Sequence, residues 1–294
     1  MNHHLSRCCC GLLRSAQLAV CAVVLLCVCG CRKQQASESP LVCYVGGTMR
    51  PAMEKLAKTY TERTGRRIEI DYAGSGELLA RIQNEKRGDL YVCHDPFLDI
   101  LMQKKLGRKG RTVAVLTPVI VVQKGNPKNI RRLSDLVRPD VRVILTDYKY
   151  STLGNMLAKI FEKAQMDFER VKQHVRKTVK SGGQAANDVK IGGFDAAIVW
   201  NAVAHLRRDG LDIVPISPEH LPQPGAEADA ITSATGKTWD VSRILVTIAT
   251  LRCSKMPDEA EAFASFVAGS EGAAVFRSMG FTPAPAEPAT APTP

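Results

Sequence analysis

Four hydroxyl residues stand where a strand pattern gives way to a helix pattern. Thr48 follows the apolar run Leu41–Val45 and the break Gly46-Gly47. It sits at the expected N-cap of a helix whose first turn holds Pro51, where a missing N–H does no harm. Ser75 stands likewise ahead of Glu77-Leu78-Leu79, and Ser151 and Thr152 precede the helix pattern that starts at Leu153. A helix start offers N–H groups and partial positive charge, so it attracts anions. Several such ends pointing into one cleft could hold an oxyanion by neutral donors alone. Each hydroxyl taken singly reads as a structural N-cap. The anion reading rests on three such junctions shared between two lobes.

Other chemistries fail on their residues. Gly236-Lys237-Thr238 ends like a Walker A loop, but Ile231 stands where its first glycine belongs, and a strand follows instead of a helix. Ala73-Gly74-Ser75-Gly76 lacks the first glycine of a nucleophile elbow. Cys93-His94-Asp95 has metal-capable groups without a partner cluster, and neighbours on a strand point to opposite faces, so no metal site is expected. Beyond the leader the histidines are His94, His174, His205 and His220, the last three in or beside polar segments. No Ser-His-Asp or Cys-His constellation emerges, and no enzyme activity is expected.

The elements that must position these hydroxyls lie beyond a leader. Seven of the ten cysteines fall in the first 31 residues, leaving Cys43, Cys93 and Cys253. Arg7 and Arg14 precede the eleven-residue apolar run Leu18–Val28, which suits a signal peptide and is short for a membrane span of about 20 residues. Val28-Cys29-Gly30-Cys31 then resembles a bacterial lipobox, which implies cleavage before Cys31 and its lipidation. Residues 1–30 read as lipoprotein signal peptide and 31–40 as a tether. Their removal lowers the formal charge of +11 to +9. Export, dispersed basic residues and few interleaved aromatics disfavour nucleic acid. Cys43 and Cys93 fall on the first and third expected strands, either as a disulfide or as two buried thiols.

Strands are expected at Leu41–Val45, Arg67–Tyr72 and Asp89–Cys93. They alternate with helices bearing Met53, Leu56, Ala57 and Tyr60, then Leu78, Leu79 and Ile82, then Leu98, Leu101 and Met102. This βαβαβα order predicts α/β class with a mainly parallel sheet. Val113–Gln123 is a long apolar run broken by Pro118, so it is two strands or one strand crossing between lobes. A second series follows: strands at Val141–Leu145, Ala196–Trp200 and Ile213–Ile216, helices over Leu153–Ala164 and Phe168–Lys177, and one ending at Val189–Ile191. Pro222–Thr238 reads as loop, Val241–Leu251 as a long strand, and Asp258–Val267 and Ser270–Met279 as helices. Two long strands bracketing the middle third imply two lobes with a ligand cleft between them. Residues 41–118 and 239–282 form the first lobe and 119–238 the second. Residues 283–294, with five of the sixteen prolines, form a disordered tail.

From about Leu41 to Pro283 the chain resembles the periplasmic molybdate-binding proteins of ABC transporters. The motifs are Tyr44–Met49, Ala73–Leu78, Asp147–Gly154, Gly192–Trp200 and the ending Ser270–Phe281. The resemblance implies a two-lobed, type II periplasmic-binding-protein-like fold with two crossing strands. It implies a tetrahedral dianion held by the hydroxyls of Thr48 and Ser75 and by backbone N–H groups at Thr152-Leu153. A further N–H comes from Ser181–Gln184, assigned to Gly183. Trp200 stands where the family has a tyrosine and offers an indole N–H. The function implied is that of a monomeric, lipid-anchored binding protein of the periplasm or cell envelope. It captures molybdate or tungstate for an inner-membrane ABC permease, with no cofactor. Sulfate, phosphate or another small anion is the alternative ligand. Rival readings keep the cleft: an exported enzyme, or a sensor or adhesin whose pocket Trp200 fills.

Overall fold

The computed structural model describes residues 39–149, 151–222, 230–232, 238–240 and 244–284. The expected signal peptide, Cys31 and most of the proline-rich tail lie outside the described residues. All described strands and helices belong to the unit beginning at Pro40.

The first sheet is built from Leu41–Gly46 (β1), Ile68–Ala73 (β2), Leu90–His94 (β3), Gly107–Leu116 (β4), Ile244–Leu251 (β12) and Thr282–Pro283 (β13). The second holds Pro118–Gln123 (β5), Val143–Thr146 (β6), Lys177–Val179 (β7), Ala196–Trp200 (β8) and Leu211–Pro215 (β9). The strand orders are β2-β1-β3-β12-β4-β13 and β7-β6-β8-β5-β9. The two sheets therefore repeat one plan. A first strand pairs in parallel with its successor on one side and with the third strand on the other, and an antiparallel strand comes next. Ligands of such sheets bind beyond the carboxyl ends of the strands, where the order reverses.

Helices follow those carboxyl ends. Arg50–Thr64 (α1) takes Pro51 in its first turn and stops at Gly65, whose φ of +74° and N–H bond to the Thr61 carbonyl close the helix. Ser75–Glu85 (α2) buries Leu78, Leu79 and Ile82 against the sheet. Phe97–Gln103 (α3) follows β3. In the second half come Thr152–Lys163 (α4), Phe168–His174 (α5), Gly182–Lys190 (α6) and Asn201–His205 (α7). Pro257–Ala268 (α8) and Ser270–Ser278 (α9) return to cover the first sheet. Cys43 and Cys93 are buried free thiols, packed in different clusters of side chains.

Several boundaries differ from expectation for physical reasons. The run over 113–123 is two strands in two sheets, parted at Thr117, and Pro118 opens β5, where no earlier strand residue needs its N–H. The second sheet thus starts at 118. β4 begins six residues before Val113, because the polar stretch Gly107–Thr112 pairs with β12. The helix expected over 168–177 stops at His174, and Lys177–Val179 joins β6 as a short, polar edge strand. Within the expected loop 222–238, Ala230–Thr232 (β10) pairs with Thr238–Asp240 (β11) as an antiparallel hairpin. These strands are too short to show periodicity. Thr282 and Pro283 pair with β4, so the ordered chain runs past 282.

An aspartate locks the start of the first parallel strand of each sheet. Asp89 Oδ2 accepts the Val42 N–H at 2.8 Å. In the second lobe Asp195 Oδ2 accepts the Arg142 N–H at 2.7 Å, and Oδ1 accepts from the Arg142 guanidinium at 2.8 Å. Those bonds hold the buried Asp195 carboxyl below the usual carboxylate range. Asp195→Ala is expected to cost about 2–3 kcal/mol at pH 7, a Tm fall of roughly 5–10 °C. A depressed carboxyl pKa stabilises the fold above the unfolded value and ceases to do so as pH falls through the folded one. The Tm gap between wild type and variant should therefore close below about pH 4. A gap unchanged in acid would refute this origin.

Candidate functional site

A cleft of about 640 Å³ lies at the carboxyl ends of strands from both sheets. Thr48, Ser75, Thr152, Gly183 and Trp200 all line it. Leu153 does not: its side chain is buried in the core, and only its backbone is available to the first turn of α4.

The first-lobe hydroxyls are not caps. Thr48 lies within a 3-10 turn, Gly47–Met49, leading into α1. Ser75 is the first residue of α2, with Gly74 as its N-cap and no side-chain cap. The Ser75 hydroxyl is the most informative atom of the site. The residue is 6% exposed. Its Oγ is buried and has no hydrogen-bond partner among the described residues. Gly46 makes room for it: a Cβ there would lie 2.6 Å from Ser75 Oγ and 2.6 Å from Met49 Cε. Buried hydroxyls are almost always paired, so this one is a donor awaiting an acceptor.

The second lobe works differently. Ser151 Oγ caps α4 by accepting from the Gly154 N–H at 3.3 Å, and Ser181 Oγ caps α6 by accepting from the Gln184 N–H at 3.2 Å. Both serines line the cleft. Each cap satisfies the third turn position and leaves the first two without an intrahelical acceptor. These are the N–H groups of Thr152 and Leu153 on α4, and of Gly182 and Gly183 on α6.

Trp200 ends β8 and forms a wall of the cleft instead of filling it, its ring 6.5 Å from that of His94 across the lobes. His94 Nδ1 sits 2.8 Å from the Asp95 carbonyl, and burial pushes its pKa below the usual imidazole range. Among the described residues no three metal-capable side chains cluster.

Charge in the cleft was not legible beforehand. Arg50 pairs with Glu54 and stacks on Tyr72, and Glu77 pairs with Arg81. Asp71, another acidic residue near a junction, also pairs with Arg81. Lys180 and Arg207 line the second-lobe side. Beside the neutral donors implied by resemblance, the cleft therefore also carries charged side chains on both lobes. In sequence, Arg207 reads as a solvated cation of the polar stretch Leu206–Gly210, and no residue pattern singles it out.

A hydrogen-bonded stitch joins the lobes at their crossing. Thr117, between β4 and β5, accepts the Asn201 N–H at 2.8 Å and donates its own to Asn201 Oδ1 at 3.1 Å. Thr282 Oγ1 lies 3.1 Å from both Thr117 Oγ1 and Asn201 Nδ2. The residue after Trp200 is thereby tied to the crossing.

The sequence profile of the bacterial extracellular solute-binding proteins matches residues 41–282. A Haemophilus influenzae chain described only as a binding protein is 28% identical over 247 residues, 83% of this chain and 91% of its own length. The sulfate-binding protein SubI of Mycobacterium tuberculosis superposes with a TM-score of 0.63 at 20% identity, covering 84% of this chain and 87% of that one. The periplasmic molybdate-binding protein of Azotobacter vinelandii does so with 0.60 at 16% identity, covering 82% and 98%. At these identities the structures are alike in fold, the type II two-lobed architecture.

Proposed function

Since the chain belongs to the family of bacterial extracellular solute-binding proteins, we propose that it captures a tetrahedral oxyanion in the cleft and delivers it to the permease of an ABC transporter. Molybdate and tungstate are the leading ligands. The observation that carries this reading is the buried, unpartnered Ser75 hydroxyl. Ser75 lines the same cleft as Thr48 and the first turns of α4 and α6. A fully ionised tetrahedral dianion needs only donors, and the cleft supplies them from both lobes. Solved relatives of the same fold bind molybdate and sulfate by their names.

Closing the lobes around the ion would engage both donor sets at once. The stitch Thr117–Asn201–Thr282 is the natural pivot, because it joins the crossing to the residue beside Trp200. In this reading the protein works as a monomer at the cell envelope, anchored through a lipid on Cys31, with no cofactor and no nucleic acid. No bond is made or broken in this reading. His94, the imidazole in the cleft, has its Nδ1 engaged by the Asp95 carbonyl.

A thermal-shift panel of molybdate, tungstate, sulfate, phosphate and small organic anions tests the proposal. Ligand at about 100 times its Kd stabilises by about 2.7 kcal/mol, so a Tm rise of roughly 5–10 °C is expected with molybdate or tungstate. A larger rise with sulfate or phosphate would reassign the ion. No rise with any tetrahedral oxyanion would refute the function.

A further inference from the structure

We propose that Arg207 is the charge-reading residue of the cleft, so that the site selects doubly charged oxyanions over singly charged ones of the same shape. The inference rests on the oxyanion reading of the cleft and adds a residue and a selection rule to it.

Arg207 lies just past α7 on the second-lobe wall. Its Nε donates to Asn187 Oδ1 at 2.7 Å and its Nη1 to the Val203 carbonyl at 3.0 Å. These two bonds aim the guanidinium and spend none of its charge on a carboxylate. The nearest acid in sequence, Asp209, is taken by Lys190 at 2.5 Å. Among the described residues Arg207 has no ion pair, and Nη2 donates to nothing. That nitrogen stands 3.3 Å from where a Gly183 Cβ would be. The free end of the guanidinium therefore lies against the first turn of α6.

This placement is unfavourable as it stands. The start of a helix carries about half a positive charge. Here a guanidinium is laid against it, Lys180 is added at its edge, and the arginine is partly removed from water. Burial accordingly pushes the Arg207 pKa down. Asp209 offsets this positive charge only in part, being paired with Lys190; the remaining excess is relieved by an anion, and the N–H groups of Gly182 and Gly183 face the same space. The absence of a Gly183 side chain lets the guanidinium and the helix end act on one ligand.

Neutral hydroxyls and backbone N–H groups carry only partial charges, so their field at the ligand is weaker and shorter-ranged than that of a full cation. A fixed cation responds to charge in proportion, because Coulomb energy is linear in the charge of the ligand. Removing Arg207 should therefore cost a dianion twice the free energy that it costs a monoanion of equal size. On the fold-change scale, the loss for the dianion should be the square of the loss for the monoanion.

Molybdate and perrhenate separate the two, being tetrahedral and similar in size with charges of −2 and −1. Their affinities should be measured by calorimetry for the wild type, Arg207→Gln, Arg207→Lys and the control Lys58→Gln. Lys58 does not line the cleft and carries the same change in net charge. For R207Q the expected losses are roughly thirtyfold for molybdate and roughly fivefold for perrhenate. R207K should keep most of the wild-type preference, and K58Q should match the wild type. Equal losses for the two ions in R207Q, or no loss, would overturn the proposal while leaving the oxyanion function intact. A wild type that binds neither ion would overturn both. Should R207Q fold poorly, the molybdate-to-perrhenate ratio of R207K against wild type still decides, because a ratio that collapses with the charge retained contradicts the rule.

Discussion

If the cleft holds an oxyanion as proposed, replacing Thr48 and Ser75 together with alanine is expected to lower affinity for the ion, molybdate as the test case, by about a hundredfold or more and to leave the protein folded. A hydrogen bond to a charged partner contributes about 1.5–3 kcal/mol, so two of them amount to about 3–6 kcal/mol. At about 1.4 kcal/mol per tenfold, the lower bound is already near a hundredfold. The cost to the ligand-free fold is small for a specific reason. The Ser75 hydroxyl has no partner to lose, and removing an unpaired buried hydroxyl is neutral or favourable. Calorimetric titration gives the affinity, and thermal unfolding without ligand gives the control, with Tm expected within about 2 °C of wild type. Affinity within tenfold of wild type would place the oxyanion elsewhere.

The second large effect lies in the opposite lobe and acts through backbone. Gly154→Ala puts a Cβ 1.9 Å from the Asp147 carbonyl oxygen and 3.1 Å from Tyr148 Cα. No rotamer relieves a clash between a Cβ and main chain, so the loop 147–151 must move. That loop is held by the Asp147 N–H to the Val179 carbonyl and by the Ser151 N–H to the Asp147 carbonyl, at 2.8 and 3.2 Å. Moving it displaces the cap of α4 and the Thr152 wall of the cleft. The expected cost is about 3 kcal/mol, a Tm fall of roughly 6–12 °C, with molybdate binding lost as well. A variant with wild-type Tm and affinity would show that the loop relaxes freely.

The legibility of this fold was uneven, and the unevenness follows from the physics. Strands buried on both faces, such as Leu41–Gly46 and Ala196–Trp200, announce themselves as apolar runs. Pro118 announced a break because a strand interior needs its N–H. Lys177–Val179 stayed hidden because a three-residue polar edge strand looks like the end of the preceding helix. The site divides in the same way. Thr48, Ser75 and Thr152 are local signals, a hydroxyl between strand and helix, and all three line the cleft. The cap reading holds for Ser151, whose hydroxyl caps α4, and not for Thr48 or Ser75, which cap neither first-lobe helix. Arg207 and Gly46 are not local signals. The importance of Gly46 comes from Ser75, 29 positions away, and that of Arg207 from the first turn of α6, with β8 and α7 between them.

The order in which the chain supplies the first sheet has a consequence for biogenesis. β3 and β4 do not pair; β12 lies between them and is antiparallel to both. Until residues 244–251 have emerged, the strands contributed by residues 41–116 form two pieces with an open seam, each with unpaired backbone at its edge. The second sheet, continuous from 118 to 215, has no such gap. A polypeptide of this design can complete its middle before its beginning, and its beginning waits for its end. Such long-range closure slows folding and prolongs exposure of strand edges. For an exported chain that delay is an advantage, because a first half that cannot close early remains threadable until the whole length has been delivered.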